Sequence, residues 1–193
     1  RRAAQTPLEH EWLTDAAALD PAVLEGASAV VALSGASIGR IPWTPAYKRE
    51  LISSRLSATH TLADAVRALG DDAPAFICAS AVGFYGSRPG AVLDESARRG
   101  TGFLASLVVR WEAAARTAGE RARIVLLRTA PVVHPDGVLA PLIRLTEAGP
   151  GERLGPGTQA WPWISLLDEV RAIRHMIDTG TSGPVNLAGP QRA

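Results

Sequence analysis

Phe76-Ile77-Cys78-Ala79 is an unbroken apolar run, short and without polar alternation, and it stops at Ser80. Such a run marks a strand buried on both faces, so the chain must cover both sides of a sheet. Ser80-Ala81-Val82-Gly83-Phe84-Tyr85-Gly86 follows, and its two glycines break regular structure. A hydroxyl at the carboxyl end of a buried strand sits where open α/β sheets place their ligands. Taken alone, Ser80 has two readings, a ligand-facing group or a plain strand-end cap.

Three further runs have the same character. Ala29-Val30-Val31-Ala32-Leu33 leads into the small-residue loop Ser34-Gly35-Ala36-Ser37-Ile38-Gly39, where a ligand can approach the backbone or the chain simply turns. Arg123 to Arg128 is a second, followed by Thr129-Ala130-Pro131-Val132-Val133 as an extended exit loop, and Pro184 to Ala188 is a last short strand. Between them lie amphipathic stretches. Thr44-Pro45 is a capping hydroxyl followed by a first-turn proline, and the helix it starts is expected to reach about Leu69 and stop at Gly70. Leu51, Ile52, Leu56, Thr59, Leu62, Ala63, Val66 and Leu69 form its core stripe, with Lys48, Arg55 and Thr59 close to a line near the stripe's edge, where helix charges are ordinarily solvated. Glu50 lies about 140° round the helix from Arg55, so a regular helix start keeps the two from sharing one ligand atom.

A second helix is expected from Gly102 to Ala118, burying Phe103, Leu104, Leu107, Val108, Trp111 and Ala115. Further helices are expected over Pro21–Gly26, Val138–Glu147 and Leu166–Thr179; Gly149–Gly157 must be a loop, and Trp161–Ser165 is irregular, a pocket wall or core filler. Strands alternating with helices imply a parallel α/β sheet covered on both faces, with the loops that end the strands near residues 30, 77, 125 and 186 converging on one ligand edge.

The bulk properties narrow the function classes. At 193 residues the chain suits one domain with a full core, and a formal charge of +1 argues for neither a nucleic-acid nor a membrane partner. One cysteine, Cys78, excludes an internal disulfide, and the four histidines show no metal spacing. With no run long enough to span a bilayer and no signal-peptide pattern, a cytoplasmic location is the default expectation. Arg1-Arg2-Ala3-Ala4 has no initiator methionine, so the chain reads as an excerpt, expected to be an incomplete domain at both ends.

Several stretches together resemble one family: Ser34-Gly35-Ala36-Ser37-Ile38, Trp43-Thr44-Pro45-Ala46-Tyr47-Lys48, Ser54-Arg55, Ser80 through Gly86, Gly102-Phe103-Leu104-Ala105, Trp111-Glu112, Leu127-Arg128-Thr129, Trp163-Ile164 and Gly183-Pro184-Val185-Asn186-Leu187. Their order is similar to that of the atypical extended short-chain dehydrogenase/reductases, the epimerase family that includes SulA-like nucleoside-diphosphate-sugar epimerases. The resemblance implies a doubly wound Rossmann-type sheet, helices on both faces, binding NADP or NAD. The family's first strand and its glycine-rich pyrophosphate loop find no counterpart here. By the same resemblance Arg1 and Arg2 meet the adenosine 2′-phosphate, unless they are simply solvated. Leu33, Ser34, Gly35, Glu50, Arg55, Ala79 and Val132 match cofactor-contacting positions, Val132 beside the nicotinamide.

Extended enzymes of this kind hold a substrate hydroxyl with Ser and remove its proton with a Tyr whose pKa a Lys lowers. Ser80 matches the first role. The places of Tyr and Lys hold Phe103 and Leu107, neither able to transfer a proton. Tyr85 is the substitute acid at hand, or a structural residue. Ser165 stands where relatives have His. The resemblance thus leaves three readings: an epimerase or oxidoreductase exchanging hydride with an alcohol or ketone on a small substrate such as a nucleotide sugar; a non-catalytic cofactor-sensing protein; or a chain that lacks too much of the phosphate site to bind cofactor. Folds of this type often pair through exposed helices, so a homodimer is an open expectation.

Overall fold

The computed structural model describes residues 4–13, 18–149 and 161–190. Its centre is a parallel sheet of four strands in the order β1 (Ala29–Ala32), β2 (Ala75–Ala81), β3 (Ile124–Thr129), β6 (Gly183–Leu187). Helix α1 (Pro45–Ala68) returns the chain from β1 to β2, and α2 (Phe103–Arg116) from β2 to β3. The α1 start follows the sequence signal: Thr44 Oγ1 accepts from the Tyr47 amide at 3.1 Å, with Pro45 in the first turn. The stop follows it too, at Gly70 with φ +59°.

Strand alternation sorts the core into two layers. Phe76, Cys78 and Leu126 point to the side of α1 and α2, where they meet Leu62, Ala63, Val66, Trp111 and Ala115. Ile77, Val125 and Leu127 point to the opposite side and pack on α4 (Leu166–Asp178) through Met176 and its neighbours. Each of these large side chains, buried to 0% exposure in the case of Phe76, Ile77, Leu126 and Leu127, contributes about 1.5–3 kcal/mol of transfer free energy.

Two segments depart from the expectation. The exit loop after β3 and the aromatic segment before α4 pair as a second, two-stranded parallel sheet: β4 (Val132–Val133) with β5 (Ile164–Ser165). Two-residue strands leave no periodicity to read, and each exists only because the other satisfies its backbone. Ser165 then caps α4, accepting from the Asp168 amide at 3.0 Å. Helix α3 (Ala140–Glu147) begins slightly later than expected. Position 100 requires glycine, since a Cβ there would run into the Tyr85 carbonyl while the Gly100 amide donates to Phe84 O at 2.8 Å. No described helix is long and apolar enough to cross a membrane.

Candidate functional site: the carboxyl edge of the sheet

The parallel strands all end at one edge, and a cleft of about 1120 Å³ opens there. Ser80, Thr129 and Asn186 line it at the ends of β2, β3 and β6; Trp43, Phe103, Leu107 and Trp111 form much of its apolar wall.

Register dictates the polar floor. Ser80 pairs with Arg128, and Arg128 with Asn186, so three polar side chains form one rung across neighbouring strands. Above the rung, Glu112 on α2 takes three hydrogen bonds: Ser80 Oγ donates to its Oε1 at 2.7 Å, Arg128 Nε to Oε1 at 2.8 Å and Arg128 Nη2 to Oε2 at 3.0 Å. Ser80, Glu112 and Arg128 are all at or below 5% exposure. The pair is bidentate, the geometry in which a buried guanidinium and carboxylate best offset their lost hydration. Burial pulls the Arg128 guanidinium down, but hydrogen bonding to Glu112 and Tyr85 outweighs it and holds the group above its ordinary value.

Tyr85 extends the network. Its hydroxyl accepts from Arg128 Nη1 at 2.9 Å and donates to Asn186 Oδ1 at 2.6 Å. Asn186 in turn donates Nδ2 to Leu93 O at 3.2 Å and its amide to Glu95 Oε1 at 2.8 Å. Arg128 also stacks 3.5 Å from the Phe84 ring centroid. The polar loop between Gly86 and Gly100 is thereby tied to the sheet edge.

The positions expected from sequence divide accordingly. Ser80, Tyr85, Arg55 and Val132 line the one cleft. Leu33 and Ser34 follow β1 at the same edge and are exposed, Gly35 packs on Arg55, Glu50 is exposed on α1, and Ala79 lies within β2; none of these five lines the described cleft. Arg1 and Arg2 lie outside the described residues. Arg55, read as an edge position, is buried, and Thr59 is buried as its place in the core stripe implied: its Oγ1 accepts from Trp111 Nε1 at 2.9 Å and lies 3.9 Å from Cys78 Sγ. Phe103 and Leu107 both face the cleft, so no proton-transferring side chain enters from their turn of α2.

Glu112, Arg128 and Asn186 carry the network, and the sequence reading gave them no role. The signal was a Glu on the buried face of α2 and an Arg closing an apolar strand, each costly unless paired. Glu169 was missed as well. It is 8% exposed, its Oε1 accepts from Thr129 Oγ1 at 2.9 Å, and its Oε2 has no partner among the described residues. Burial pushes its carboxyl above the usual range, the Thr129 bond opposing in part. Among the described residues no group of His, Cys, Asp and Glu is placed to hold a metal.

Known proteins share this sequence and architecture. An epimerase family protein of Mycobacterium bovis is 44% identical over 193 residues, covering 98% of this chain and 64% of that protein. The human epimerase family protein SDR39U1, solved with NADPH, superposes with a TM-score of 0.81 at 27% identity, over 91% of this chain and 63% of that one. A nucleoside-diphosphate sugar epimerase from Corynebacterium glutamicum superposes with a TM-score of 0.77 at 29% identity, over 93% of this chain and 38% of that one. The chain thus spans a little under two thirds of the length of the first two of these proteins. A profile of the NAD dependent epimerase/dehydratase family matches residues 2–188, and with the parallel sheet and its edge cleft the chain belongs to that family.

Proposed function

We propose that this chain is the cofactor-binding part of an NAD(P)-dependent epimerase or reductase, with NADP(H) as its cofactor. The observation that carries the reading is the convergence of Ser80, Tyr85 and Val132 on one cleft at the carboxyl edge of a parallel sheet, the place where such folds receive dinucleotides. NADP is favoured over NAD by the NADPH of the human relative and by the Arg1-Arg2 pair, whose guanidinium forks suit a 2′-phosphate. In this reading the roles implied by the family resemblance carry over: Val132 borders the nicotinamide, and Leu33, Ser34, Gly35, Glu50, Arg55 and Ala79 contact the cofactor. The cofactor, when bound, supplies or accepts hydride.

Ser80 sets how a substrate oxygen is held. Its proton is committed to Glu112, so toward the cleft it offers lone pairs, suited to accept from a substrate alcohol. Tyr85 is the available acid, although its proton is engaged by Asn186. That double engagement, with Phe103 and Leu107 at the Tyr and Lys places, favours a second reading, a cofactor-sensing protein without turnover. A small alcohol or ketone, a nucleotide sugar among the candidates, is the substrate class of the first reading.

Titration of NADPH by its fluorescence tests the cofactor assignment, on this chain and on one extended upstream through a phosphate-binding loop. Binding by the extended chain, at least about tenfold tighter than by this one, is expected. No binding by either refutes the assignment. Turnover of an alcohol or keto substrate, lost in Ser80→Ala, distinguishes the enzyme from the sensor.

A further inference from the structure

Three hydroxyls of the cleft are each held from behind by a second side chain: Ser80 by Glu112, Tyr85 by Asn186 and Thr129 by Glu169. A hydroxyl so held acts as an acid when its partner has a proton to give. Glu112 has none, because the bidentate Arg128 favours its carboxylate. Asn186 does not titrate, and Tyr85, 3% exposed, already gives its proton to that amide. Glu169 differs. Among the described residues no cation pairs with it, and its Oε2 is the one buried side-chain nitrogen or oxygen left without a partner. Burial penalises the charged form of such a group, so the neutral acid is favoured.

No element packed against Glu169 supplies the missing charge. On α4 itself, Asp168 and Arg171 are exposed and lie 4.0 Å apart, with Asp168 also accepting from Ser165. On β3 and β2, Arg128 and Cys78 point to the opposite face of the sheet, and Arg128 is paired with Glu112. β4, β5 and β6 carry no titratable side chain, and His134, just beyond β4, is 3.9 Å from Asp136. The raised carboxyl described above agrees with this isolation.

Thr129 is placed to pass that proton on. Ser80 pairs with Arg128 and Ala81 with Thr129, so the Ser80 and Thr129 backbones stand one rung apart, about 6 Å. Val132 follows three residues later on the same exit from β3. The Thr129 hydroxyl has one hydrogen and two acceptors behind it, Glu169 Oε1 at 2.9 Å and Leu127 O at 3.3 Å. With Glu169 neutral, the carboxyl donates across the same contact, and the Thr129 hydrogen turns to the cleft.

We propose that Thr129 and Glu169 form a proton relay, with Thr129 as the catalytic hydroxyl that protonates a carbonyl oxygen and Glu169 as the positioning acid behind it. This rests on the reading of the cleft as a nicotinamide-dependent site, whose reduced cofactor supplies the hydride. As hydride reaches the carbonyl carbon, the C=O π pair moves onto oxygen. That oxygen takes the Thr129 hydrogen, Thr129 Oγ1 takes the hydrogen of Glu169, and a carboxylate remains. Water entering the cleft after the alcohol leaves restores the proton through Thr129.

Infrared spectra of the wild type, Thr129→Val and Glu169→Gln at neutral pH test the acid without turnover. The wild type should show the C=O stretch of a neutral carboxylic acid, absent in Glu169→Gln and shifted in Thr129→Val. The chain extended upstream is then assayed with NADPH and 4-nitrobenzaldehyde. Each variant should lower kcat by at least about a hundredfold, and the double variant no further than either single. The wild-type rate should fall as pH rises through the carboxyl's pKa, and Glu169→Gln should flatten that limb. If Thr129→Val does not fold, Thr129→Ser, which keeps the hydroxyl and should keep the rate, decides together with Glu169→Gln. Absence of the neutral-carboxyl band overturns the proposal. So does a Glu169→Gln protein of wild-type rate, a double variant whose losses multiply, or a wild type that binds NADPH and reduces no aldehyde. Failure of the extended wild type to bind NADPH sinks the cofactor reading and the relay together, whereas bound NADPH without the band sinks the relay alone.

Discussion

Replacing Glu112 by Leu isolates what the buried network contributes. The substitution keeps the side-chain volume close and removes the acceptor of three hydrogen bonds, from Ser80 Oγ and from Arg128 Nε and Nη2. What remains is a guanidinium at 3% exposure whose neighbours are Tyr85, the Glu95 carbonyl and the Phe84 ring. Leaving one buried charge of a pair uncompensated costs about 3–5 kcal/mol. For a chain of this size each kcal/mol moves the melting temperature by about 2–4 °C, so the midpoint should fall by roughly 6–20 °C. The control is the double variant Glu112→Leu with Arg128→Met, in which no buried charge is left. It should regain most of the loss, short by about 1 kcal/mol for each of the Ser80 and Tyr85 hydrogen bonds that stay broken. Calorimetry or far-UV circular dichroism on the four proteins of the cycle reads the coupling directly. A single-variant loss under about 1 kcal/mol, or a double variant whose loss is the sum of the two singles, would show that the pair is not a mutually dependent unit.

Two further outcomes follow from buried titrating groups. Glu169 has its carboxyl raised by burial and an oxygen without a partner among the described residues, so its contribution to stability is present below the unfolded carboxyl's pKa and is lost as pH rises through the folded one. Glu169→Gln should therefore stabilise the protein at neutral pH by about 1–3 kcal/mol and flatten this part of the pH profile in urea unfolding; an unchanged slope excludes it. Cys78, at 0% exposure and with its thiol pushed up to about 12 by burial, should resist Ellman's reagent at pH 8 until the protein unfolds. Prompt labelling of the native chain would contradict the packing of β2.

The two layers of core, the parallel sheet and the edge on which ligands gather were legible because they follow from local periodicity: apolar runs of strand length, helical stripes, and caps such as Thr44-Pro45. Ser80 could be placed at that edge for the same reason. Its partner could not. Glu112 lies 32 residues away on another element, and only the packing of α2 over β2 and β3 brings the carboxylate onto Ser80 and Arg128 together. The β4–β5 pair was invisible because two residues carry no period, and the partner strand lies some thirty positions off.

Arg55 shows the division most clearly. Sequence alone determined that it sits on α1 at the margin of a core stripe, since helical spacing is a one-dimensional property. Whether that margin meets water or a cleft depends on what lies opposite, and here the Gly35 loop and Trp111 close over the guanidinium. Desolvation is a property of the surrounding volume, not of the chain's own order, so a charge that reads as solvated in the sequence becomes in the folded protein a buried cation.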